Sequence, residues 1–142
     1  MRRAASVDAI AAVVAEGATN RVAGDKDWLS DEFGLRGALT QSVERLTYAF
    51  ADLLTSASPP ITLRDAVRAA TGRPVLLIAA GEMPDEPRAD RSIQRASPET
   101  VDLWVAPGAG HTDALHTHPQ EWEARVIAFL DRALHVDEVR RP

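Results

Sequence analysis

Cysteine is absent from the 142 residues, which excludes disulfides, thiol nucleophiles and cysteine-ligated zinc. Lysine is nearly absent: of sixteen basic residues only Lys26 is Lys, no basic run follows one face, and the net charge is -5. An acidic chain without a basic stripe has no electrostatic footprint for nucleic acid, so no nucleic-acid partner is expected. Long apolar runs are missing too. The stretch AIAAVVA stops at Glu16 and Gly17, far short of the roughly 18 residues that cross a bilayer. Asp8 breaks the superficial likeness of MRRAASVDAIAAVVAEG to an export signal. These absences predict a cytoplasmic protein with no membrane contact. Hydrophobic residues at 45% and charged residues at 26% describe a folded chain, and its length suits one domain. There are no repeats and no low-complexity linker.

Three continuous apolar runs read as strands of a parallel sheet covered on both faces: AIAAVVAEGA from Ala9, with the strand at Ala11 to Ala15; VLLIAAGE at Val75 to Glu82; and VDLWVAPG at Val101 to Gly108. The last two are closed by Gly-Glu-Met-Pro and Pro-Gly. Between them, DEPRADRSIQRASPE has small apolar residues at helical spacing and suits a surface helix from about Pro87 to Ala96. After the third strand, Trp122, Val126, Phe129, Leu130 and Ala133 recur on one helical face behind Pro119. ITLRDAVRAATG is a helix with Thr62 as N-cap and Gly72 as its stop. Upstream, Leu39, Val43, Leu46, Phe50 and Leu53 predict one long helix, about Arg36 to Leu54, after a short helical or irregular stretch around Trp28 and Phe33. Strand and helix in alternation place the chain in the α/β class.

In parallel sheets functional groups collect beyond the carboxyl ends of the strands. The loop after the third strand, PGAGHTDALHTHP, carries His111, His116, His118 and Asp113. These are metal-ligand types, but they lack the helical i, i+4 His pair with a neighbouring Glu that builds a zincin centre. No metal or other cofactor is expected. His116 and His118 read as a solvated approach to the helix at Pro119. His111 differs, because Gly108 and Gly110 permit the tight reversal that presents its imidazole above the sheet edge. A general base there needs an acid to orient it, and the neighbouring loop offers Asp85, Glu82 and Glu86.

The blocks PVLLIAAGEMPDEP, VDLWVAPGAGHTDALHTHP and EWEARVIAFLDRAL together resemble, in order and spacing, the C-terminal half of the α/β-hydrolase family, over about Arg73 to Leu134. AAVVAEGA is similar to the strand that precedes them, and the segment from Trp28 to Pro60 to the family's cap insertion. The resemblance implies one partial domain over 1–142, with a cap-like helical insertion at 19–60 and a strand-helix-strand-helix core at 73–135. It implies three parallel strands with flanking helices, and a small-molecule ester, thioester or amide as substrate in intact relatives. It makes His111 the triad histidine. The family's acid falls three residues past the strand-ending Gly, where Pro84 stands here, so Asp85 is the choice and Glu82 the second.

The nucleophile departs from the pattern. None of Ser6, Ser30, Ser42, Ser56, Ser58, Ser92 and Ser97 sits in a G-x-S-x-G elbow. MRRAASVDAI is similar to the tail of the helix that would follow such an elbow. The chain alone is therefore expected to be inactive. The alternative reading is a truncated or degenerate hydrolase domain that binds or oligomerises, with self-association through the apolar edge of the first strand.

Overall fold

The computed structural model describes residues 10–18, 22–54, 60–70 and 72–139, with side chains at 51–53 and 135–139 left aside. The MRRAASVDAI segment up to Ala9, and Ser6, Ser56 and Ser58, lie outside the described residues, as do parts of the insertion at 19–60. The three apolar runs form strands β1 (Val13–Glu16), β2 (Val75–Ala80) and β3 (Val101–Ala106). They make one parallel sheet in the order β1-β2-β3. All six residues of the central β2 are buried, as a continuous apolar run requires when both faces are covered. β1 begins two residues later than its run suggests and is only partly buried, with Val13 37% exposed. It is an edge strand: among the described residues its one ladder is with β2.

Each sheet face carries its own core. On one, Leu76, Ile78, Trp104 and Ala106 pack with Phe129, backed by Trp122, Val126 and Leu130 of helix α5 (Pro119–Val139). This is the apolar face that the sequence spacing places inward. On the other, Val75, Leu77 and Val101 pack with Ile93 of α3 (Asp85–Ala96), and with Leu63 and Val67 of α2 (Leu63–Ala69). Thr62 caps α2 as its sequence position implies, its side-chain oxygen accepting from the Asp65 N–H at 3.1 Å. Asp25, in a 3₁₀ turn over Ala23–Lys26, adds a second acceptor there, taking the Leu63 N–H at 2.6 Å.

The insertion is α1 (Trp28–Leu54), kinked at Gly34 into a short helix and a long one. Trp28 is buried, but Leu39, Val43, Leu46 and Phe50 on the long arm are each 60% exposed or more. α3 begins at Asp85, two residues before its expected start, and it is no surface helix: Glu86, Pro87, Ala89, Asp90, Ser92 and Ile93 are all buried. A short α4 (Ala114–Thr117) links β3 to α5. Among the described residues no helix is long and apolar enough to cross a membrane.

Candidate active site

The carboxyl ends of the three strands meet at one place, and each contributes a part. After β3 the chain turns through Pro107-Gly108, with Gly108 at φ 68°, a left-handed value that a glycine adopts without steric cost. The turn is tied to the β2 loop by backbone bonds from Gly81 N–H to Ala106 O at 2.9 Å and from Glu82 N–H to Ala109 O at 3.1 Å. His111 follows, with its side chain 56% exposed.

The imidazole meets Glu86. Its Nδ1 is hydrogen-bonded to Glu86 Oε1, while Glu86 Oε2 accepts from the Ala80 N–H at 2.9 Å, at the end of β2. Both oxygens of this buried carboxylate are therefore satisfied, and it sits in the first turn of α3, where the helix dipole favours negative charge. With Nδ1 held, Nε2 is the nitrogen left for proton exchange, and among the described residues it has no hydrogen-bond partner.

β1 supplies the third wall. Gly17 has φ 67°, and a Cβ built on it would stand 2.7 Å from His111 Cε1 and 3.1 Å from its Nδ1. Any larger residue there would displace the ring. The preceding Glu16 braces the far side of the loop: its Oε1 accepts from the Ala114 N–H at 2.7 Å and its Oε2 from Trp122 Nε1 at 3.3 Å.

The acid chosen from the sequence does not reach the histidine. Asp85 is 72% exposed and faces Arg88 at 3.6 Å. Arg88 in turn binds Glu32 at 3.0 Å and lies over Phe33, joining α1 to α3. Glu82 is exposed. Asp85 is the first residue of α3 and points outward, whereas Glu86 shares the inward face of Ala89, Asp90 and Ile93. That spacing was present in the sequence and would have selected Glu86, once the helix start was set at Asp85 rather than Pro87.

The remaining histidines serve other partners. His116 is 90% exposed beside Asp113 at 3.4 Å. His118 is no simple solvated residue, because its Nε2 lies 2.5 Å from Pro107 O and its ring packs edge-on to Trp104. Among the described residues no group of three or more metal-ligating side chains converges. Three serine hydroxyls are engaged elsewhere: Ser30 with Asp27 O, Ser42 with Ala38 O and Ser97 with Thr100. A concavity of about 620 Å³ between β3 and α5, lined by Trp104, Arg125, Phe129 and Arg132, includes neither His111 nor Glu86. Compared with protein-family models, curated proteins and solved structures, the chain has no match.

Proposed function

We propose that the chain carries the histidine-acid part of an α/β-hydrolase acyl-transfer site, acting on esters, thioesters or amides once a nucleophile is supplied. The observation that carries this reading is the Glu86–His111 pair at the carboxyl ends of β2 and β3. His111 is the general base. Nε2 takes a proton from the attacking hydroxyl and returns it to the leaving group. Glu86, not Asp85, is the acid that fixes the tautomer with Nδ1 protonated and stabilises the imidazolium that forms. The sequence contains no G-x-S-x-G segment, so the chain by itself is expected to be silent.

A fluorophosphonate that labels activated serines tests both parts. The isolated chain should take up no label, and stoichiometric labelling lost in His111→Ala would reveal a nucleophile and overturn the expected silence. Joined in frame to whatever segment its gene encodes upstream, the chain should be labelled at a serine, with labelling lost in His111→Ala and Glu86→Ala but kept in Asp85→Ala. Labelling indifferent to His111, or none at all, refutes the acyl-transfer reading and favours a binding or oligomerising module. That second reading draws on the edge of β1, unpaired among the described residues, and on the exposed apolar residues of α1.

A further inference from the structure

The inward face of α3 holds a second carboxyl for which the proton-transfer scheme has no use. Asp90 is fully buried, yet among the described residues neither of its carboxyl oxygens has a hydrogen-bond partner. It lies one helical turn beyond Glu86, and side chains at i and i+4 stand one above the other. An ionised carboxylate in such a place loses its water and gains no donor in return, while a second negative charge one turn away adds repulsion. Burial first, and the Glu86 charge second, push the Asp90 carboxyl up to about 7.

The elements packed on α3 do little to offset this. β2 and β3 turn Val75, Leu77, Val101 and Leu103 to that side. α2 brings Arg64 and the mutually paired Asp65 and Arg68, and α1 brings Glu32, already bound to Arg88. Among the described residues Glu86 is the one charged group that acts on Asp90, and through Glu86 the next titratable group is His111.

We propose that Asp90 is a positioning residue for the His111–Glu86 pair: a buried carboxyl with no partner among the described residues, one helical turn behind Glu86, that adds a second charge behind the pair when it ionises. Two charges hold a proton on His111 more firmly than one, so the three groups titrate as a coupled set. The fold thereby links the protonation of the general base to a group that never touches substrate. The inference rests on the acyl-transfer reading for its meaning, but its readouts are proton titrations that need no nucleophile, so either can fail alone.

The test is a carbon-13 NMR titration of the full chain, following the Asp90 carboxyl and the His111 ring. The Asp90 signal should move with a midpoint near 7 rather than near the ordinary 3.8. The His111 ring curve should carry a second step at the same pH, and that step should vanish in Asp90→Asn. Glu86→Gln should lower the Asp90 midpoint by about half a pH unit or more. A carboxyl that only fills space would leave the ring curve of Asp90→Asn unchanged, and that result overturns the proposal. So does an ordinary Asp90 midpoint in the unmodified protein, which needs no variant to fold.

Discussion

Replacing Glu86 by Ala removes the acceptor of the Ala80 N–H, which is buried at the end of the central strand. An orphaned buried donor costs about 1–3 kcal/mol. The lost bond to His111 adds little to stability, because the ring is 56% exposed and water replaces the carboxylate. The net expectation is a destabilisation of about 1–2 kcal/mol, which at a urea slope of about 2 kcal/mol per molar lowers the unfolding midpoint by about 0.5–1 M. Asp85→Ala, one residue away but exposed, should cost no more than about 0.5 kcal/mol, chiefly through the helix dipole. Glu86→Gln keeps an acceptor for Ala80 and should fall between the two. Amide hydrogen exchange at Ala80 locates the effect, with faster exchange in Glu86→Ala alone. An Asp85→Ala variant that loses as much stability as Glu86→Ala, or an Ala80 amide equally protected in both, would refute the reasoning.

Gly17→Ala combines a strained positive φ with a collision against the His111 ring, so we expect a loss above about 1 kcal/mol in denaturation and a displaced His111 ring resonance. Thr62→Ala should cost about 1 kcal/mol by removing the cap of α2, and Thr62→Ser much less, as thermal unfolding would report. Because the Asp90 pKa is raised from 3.8 to about 7 on folding, its contribution to stability is fully present below about pH 4 and is lost as pH rises towards 7. Unfolding free energies from urea titrations should fall across that window by an amount on the order of a few kcal/mol in the unmodified chain and stay flatter in Asp90→Asn; equal slopes in both would contradict the burial argument.

Much of the scaffold was legible because it is written locally. β2 and β3 are continuous apolar runs stopped by Gly and Pro, α5 shows its apolar face at helical spacing, and Thr62 is a cap by residue type and position. What was not legible depends on distant neighbours. β1 comes from an apolar run as β2 does, yet among the described residues it has a partner on one side only and is more exposed, which no local pattern records. The inward turn of α3 was hidden because its buried face carries Glu86, Asp90 and Ser92, residues whose type ordinarily signals solvent. His111 could be singled out by its loop, whereas its acid depended on a helix phase shifted by two residues. His118 likewise gains its role from Trp104 and Pro107, which the turn brings back to it.

Either Glu86 or Asp85 must be the carboxylate that holds His111. Proton NMR of the ring N–H resonances addresses this directly, since an imidazole Nδ1–H bonded to a buried carboxylate resonates far downfield and exchanges slowly with water. We predict one such signal from His111 that persists in Asp85→Asn and disappears in Glu86→Gln. A signal lost in Asp85→Asn and retained in Glu86→Gln would contradict the account.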